Sequence, residues 1–131
     1  MKKKYLVVAS DYYITITERL IKGCLKKLKV KKKNVTIIKV PGTFEIPVII
    51  SKNIKRFDAF IALGCVIKGE TPHFDFLCTS TFISLLNLST TSKKPIGNGI
   101  ITSLNMRQAI KRSHVKGQEA ANAVLEIIKN D

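Results

Sequence analysis

The stretch Gly64-Cys65-Val66-Ile67-Lys68-Gly69-Glu70-Thr71-Pro72-His73-Phe74-Asp75 concentrates groups that can bind an anion and move a proton. It follows an apolar run and precedes a helical pattern, so it reads as a loop from a strand into a helix. Gly69, Glu70 and Thr71 can aim backbone N–H groups at one point near the helix N-terminus, where they attract phosphate. His73 follows closely. An imidazole with an unperturbed pKa of about 6.5 suits proton transfer at neutral pH. The same residues also have a purely structural account, with Gly69 shaping a turn, Thr71 capping the helix and His73 lying on the surface. Local chemistry alone leaves both accounts open, because one glycine-rich turn with one histidine is a common pattern.

A second stretch, Val40-Pro41-Gly42-Thr43-Phe44-Glu45-Ile46-Pro47, ends a β-branched run and opens a helix. Glu45 in the first helical turn complements the helix dipole. It could equally face, with Phe44, the crevice that holds His73. Tyr12 and Tyr13 stand at the end of the first strand, either as an aromatic surface for a ligand or as cover for the edge of the core.

These loops need a scaffold, and the hydrophobic pattern supplies one. Strands are expected over residues 5–9, 35–40, 58–64 and 96–102. Helices are expected over about 15–28, 45–55, 73–88, 105–113 and 117–129. Strands alternating with helices mean parallel pairing with right-handed crossovers. The expected fold is an α/β three-layer sandwich, a four-stranded parallel flavodoxin-like sheet with helices on both faces. Residues 1–131 would form one domain, without repeat, linker or low-complexity segment. In such sheets ligands bind beyond the carboxyl ends of the strands. Residues 10–13, 41–45, 64–73 and 102–103 collect there.

Composition narrows the function classes. The hydrophobic share of 45% and charged share of 24% describe an ordinary globular chain. No apolar run approaches the ~20 residues of a bilayer span. The basic and then apolar start is broken at once by Ser10-Asp11, so it reads as a buried strand and not a signal peptide, and the expected compartment is the cytoplasm. A net charge of +14 invites a nucleic-acid reading, but only 4 of the 23 basic residues are Arg. Lys26, Lys27, Lys29, Lys31, Lys32 and Lys33 end a helix and its loop without interleaved aromatics, as a solvated face would. Neither nucleic acid nor membrane is expected as a partner. Cys24, Cys65 and Cys78 fit no CxxC or zinc spacing and read as small buried residues.

VPGTFEIP followed by FDAFIALGCVIKGETPHFD resembles the paired signatures of the lumazine synthase family. The likeness extends from Tyr5 to about Lys129. It takes in TERLIKGCLKKL and the closing QAIKRS and KGQEAANAVLEII. It implies condensation of 5-amino-6-(D-ribitylamino)uracil with 3,4-dihydroxy-2-butanone 4-phosphate. The products would be 6,7-dimethyl-8-ribityllumazine, phosphate and water, with no cofactor and no metal. By motif position, Tyr12 would stack on the pyrimidine, and Thr43, Phe44 and Glu45 would line the pyrimidine and ribityl pocket. Cys65, Val66 and Ile67 would offer backbone hydrogen bonds. Glu70 and Thr71 would present N–H groups to the phosphate, His73 would donate and accept protons, and Arg112 would bind phosphate. Lys116 resembles a lysine lining the same region.

The family also implies homo-oligomers, pentamer rings or sixty-subunit shells, with sites between subunits. Asn98, Arg112 and Lys116 are expected to face the Tyr12, Phe44, Glu45 and His73 of an adjacent chain. Three departures from the family pattern stand out. Asn98 occupies the place of a phenylalanine in the segment usually reading PVIFG. Tyr12 replaces the commoner phenylalanine. Residues 113–117 are shorter than the AGTKAGNKG of many members, which points toward the pentamer over the shell. The rival functions are a related α/β module that binds a phosphorylated or flavin-like ligand without turning it over, and a basic nucleic-acid binder.

Overall fold

A computed structural model describes residues 2–131. The strands are β1 (Tyr5–Ser10), β2 (Val35–Val40), β3 (Ala59–Ile67) and β4 (Ile96–Ser103). The helices are α1 (Ile14–Leu28), α2 (Ile46–Lys52), α3 (Phe74–Ser92) and α4 (Met106–Ile128). All strands pair in parallel, in the order β2-β1-β3-β4. The expected α/β sheet is therefore present.

Every residue of β1 and β3 is buried. Both strands are central and covered on both faces, which is why their sequences are continuous apolar runs and not alternations. One core joins Val7, Ala9, Ile61, Leu63 and Ile101 to Leu20, Cys24, Ala120 and Val124 of α1 and α4. The other joins Leu6, Val8, Phe60 and Ala62 to Ile46, Ile50, Cys78 and Leu85 of α2 and α3. Each fully buried Leu or Ile contributes about 1.5–3 kcal/mol relative to exposure.

Two expectations are corrected. Strand three does not stop at Gly64. It continues to Ile67 because Cys65, Val66 and Ile67 pair with Ile101, Thr102 and Ser103. Gly64 serves packing there, since a β-carbon on it would come 2.8 Å from Thr43 Cγ2. The two closing helices are one continuous α4. Gly117, read as a break, instead lets α4 approach α1, because a β-carbon there would overlap the Leu20 carbonyl oxygen. Ser113 suits the same seam: its hydroxyl donates to Ile110 O at 2.7 Å and accepts from Arg19 Nε at 2.7 Å. A side-chain cap starts the helix, with Asn105 Oδ1 accepting from Gln108 N at 2.9 Å.

Element ends also shift. Residues 43–45 form a 3₁₀ turn ahead of α2. Helix α3 runs past Leu88 to Ser92 and stops at Lys93, whose φ of 62° is left-handed.

Candidate active site

Beyond β1 the chain runs outward to β2 and then returns past β1 to β3, so the strand order reverses between β1 and β3. The loops leaving such a pair diverge to opposite faces and leave a crevice. A cleft of about 280 Å³ lies there.

The end of β1 supplies Ser10, Tyr12 and Tyr13. The loop is tied down by Asp11 N donating to Val40 O at 3.0 Å, and Thr17 Oγ1 donates to Ser10 O. Tyr12 is 67% exposed and meets the half-buried Tyr13 edge to face, with ring centroids 4.8 Å apart. Burial pushes the Tyr13 hydroxyl up to about 12, with Glu70, Cys65 and Tyr12 adding to it. Tyr13 therefore faces the cleft as a neutral donor across the physiological range.

Past β2 come Gly42, Thr43 and Phe44. Thr43 is buried against Gly64, while Phe44 in the same 3₁₀ turn is 68% exposed. Glu45 N closes that turn on Gly42 O at 3.2 Å. Glu45 lines an adjoining groove between α2 and α3, with Phe44 common to both, and its Oε1 lies beside the cleft residue Gly42.

The wall from β3 comprises Cys65, Val66 and Ile67, followed by Glu70, Thr71 and Pro72, with Leu77 from the first turn of α3. Gly69 makes the turn at φ 89°, a left-handed conformation open to glycine without strain. Lys68 N donates to Ser103 O at 2.9 Å, which anchors this loop to the end of β4. Glu70 N donates to Ile67 O at 3.1 Å, so a phosphate at this amide must share or displace that bond. Thr71 is not the cap of α3. His73 holds the N-cap position, and its N–H donates to Thr71 Oγ1 at 3.3 Å. His73 lines a recess next to the cleft, together with Thr71, Phe76 and Ser80, and the two hollows share Phe44, Thr71 and Leu77.

Asn98, Arg112 and Lys116 do not line the cleft or the two adjoining hollows. Asn98 is exposed on β4, where its Oδ1 accepts from Ile100 N at 3.0 Å. Arg112 is exposed on α4 and its Nη1 donates to Thr102 O at 3.4 Å. That position is at the carboxyl end of the sheet, beside Cys65. Burial pushes the Cys65 thiol up to about 12, and the Arg112 guanidinium opposes that rise. Because α4 is unbroken, Lys116 stands one turn beyond Arg112 on the same face.

Over residues 2–131 the sequence matches the family described as 6,7-dimethyl-8-ribityllumazine synthase. The chain belongs to the lumazine synthase family. A relative of that name in Buchnera aphidicola subsp. Baizongia pistaciae is 42% identical, with 97% of this chain and 86% of the relative aligned. One in Nitratidesulfovibrio vulgaris strain Miyazaki F is 37% identical, over 96% of this chain and 86% of the relative. Lumazine synthase membership implies small-molecule substrates and oligomeric assembly. Among the described residues no helix is long and apolar enough to cross a membrane.

Within this lumazine synthase fold the motif-assigned Tyr12, Thr43, Phe44, Cys65, Val66, Ile67, Glu70 and Thr71 come together in one cleft. Pro72 and Leu77 were not singled out by the sequence. Leu77 had a usable signal, since it lies four residues after His73 and so on the same helical face.

Proposed function

We propose that this chain is a lumazine synthase, working as a single domain of residues 1–131. It condenses 5-amino-6-(D-ribitylamino)uracil with 3,4-dihydroxy-2-butanone 4-phosphate at the cleft between β1 and β3. The observation that carries this reading is the gathering of both family signatures around that cleft, with His73 in the adjoining recess. The pyrimidine brings its own amines, so the protein positions two substrates and manages protons.

In this reading Tyr12 and Phe44 flank the pyrimidine ring, and the backbone of residues 65–67 meets its polar edge. Glu45 accepts from ribityl hydroxyls. His73 takes and returns the protons of imine formation and phosphate elimination. Thr71, Glu70 and Arg112 hold the phosphate, where negative charge builds as the leaving group departs. The reaction uses neither metal nor cofactor, and the enzyme works in the cytoplasm.

Assembly into a pentamer ring completes the site. Asn98, Arg112 and Lys116 reach the cleft of a neighbouring chain, and the ring is favoured over the sixty-subunit shell. Support comes from apolar surface left uncovered in one chain. On α3, Phe76 is 74% and Leu86 is 64% exposed, with Ile83 also exposed, and Val48 lies open on α2. Helix α3 is apolar around most of its circumference, a pattern that calls for burial on more than one side.

An absorbance or fluorescence assay for lumazine formation from the two substrates tests the reaction. A chain that binds a phosphorylated ligand but forms no lumazine would instead be the non-catalytic module. Light scattering tests the ring, which has five times the 14.6 kDa mass of one chain.

A further inference from the structure

The amino ends of the strands, opposite the cleft, carry another recess of about 220 Å³. Lys4 enters it from just before β1. Lys33 and Asn34 enter from the turn before β2, Thr36 from β2 itself, and Arg56 and Phe57 from the segment before β3. The parallel register brings them together, because Tyr5 is level with Val35 on one side and with Ala59 on the other. Three cations distant in sequence thus surround one hollow.

Among the described residues no carboxylate lines the recess. Asp58, next to Phe57, has its Oδ2 accepting from the backbone N–H of Lys4 at 2.7 Å. Among the described residues the ion pairs are Lys3 with Asp131 and Lys129 with Glu126, and none involves Lys4, Lys33 or Arg56. Arg56 Nη1 meets only a neutral amide oxygen, that of Asn53, at 3.5 Å. Converging positive charges repel, and a multivalent anion among them removes that cost. The guanidinium fork of Arg56 matches two phosphate oxygens, and the two lysines act as point charges. Asn34 and Thr36 add neutral donors, and Phe57 closes one side. The volume is below the roughly 300–1,000 Å³ of pockets for drug-sized ligands. It suits a phosphate or diphosphate group and not a whole dinucleotide.

We propose that this recess is an oxyanion site for a small phosphate-bearing ligand, separate from the substrate cleft. It gives a use to Lys33, the end of the lysine run that the cleft leaves unexplained.

Calorimetric titration with inorganic pyrophosphate, and separately with inorganic phosphate, tests the proposal on the assembled protein. The wild type is expected to take up two equivalents per chain. Arg112→Ala is expected to lose the equivalent held at the cleft. The double variant Lys33→Gln/Arg56→Gln is expected to weaken the other by at least about tenfold, as loss of charge-assisted hydrogen bonds does. Both residues are exposed, and retained lumazine formation by the double variant shows that it is folded. Adding 0.5 M salt should weaken this second equivalent as well. Uptake unchanged in the double variant, or abolished altogether by Arg112→Ala, overturns the proposal. Phosphate and pyrophosphate binding alike identifies a single phosphoryl group as the ligand, and a preference for pyrophosphate identifies a diphosphate.

Discussion

Gly23 of α1 lies directly against the carbonyl oxygen of His114 in α4, so closely that a β-carbon on it would overlap that oxygen. Gly117 of α4 meets Leu20 of α1 in the same way. The pair of glycines sets the distance between the two helices that cover one face of the sheet. It thereby sets where α4 carries Arg112 and Lys116.

Gly23→Ala or Gly117→Ala must push these helices apart. Overpacking of this kind costs typically 1–3 kcal/mol. Both variants should melt several degrees below wild type in a thermal scan. A change to alanine at either position that leaves the melting temperature unaltered contradicts the close packing.

His73→Ala should lower kcat about 100-fold, the low end of the range for general acid–base groups. The low end is expected because the substrates condense slowly unaided. Full kcat between pH 6 and pH 8 in this variant removes His73 from the mechanism.

Arg112→Ala should raise KM for the four-carbon phosphate, or lower kcat, while leaving pyrimidine binding nearly intact. Steady-state kinetics with each substrate varied in turn separates the two. Equal damage to both substrates points to a disturbed fold and not to a lost phosphate contact.

A shared site makes chains impaired at different residues complementary. His73→Ala and Arg112→Ala chains, unfolded and refolded together, should form rings in which some clefts hold both residues intact. Lumazine formation per chain should rise in the mixture well above that of either variant alone. Mixed rings proven by mass but devoid of activity, or a monomer by light scattering, sink the shared-site arrangement.

Alkaline pH should destabilise the fold. Burial raises the thiols of Cys24 and Cys65 from 9.0 to about 12. The folded chain therefore keeps protons that the unfolded chain loses between those values. The contribution of these thiols to stability is expected to be level below about pH 8 and to fall from pH 9 toward pH 12. Denaturant melts across that window check the direction. Stability that rises there contradicts buried, protonated thiols.

The order of strands and helices was legible in the sequence because short apolar or β-branched runs mark the strands and longer apolar patterns such as the stripe of α1 mark the helices. Tyr5 to Ala9 and Val35 to Val40 read as strands by composition, and Pro41-Gly42 must break the chain. The cleft residues were legible as well, because strand ends are where a parallel sheet leaves its loops, and two long motifs fall on them.

Other features depend on what lies opposite in space. Gly64 reads as the end of a strand and Gly117 as the start of a separate helix, and both proved to be points of contact, with Thr43 and Leu20. A glycine's local preference says only that the backbone is free there. Whether that freedom ends an element or lets another element come close is decided by the neighbour across the gap. The extension of β3 to Ile67 and the grouping of Lys4, Lys33 and Arg56 both arise this way. Contacts between residues far apart in sequence leave no period in the chain, so only the folded sheet brings them into view.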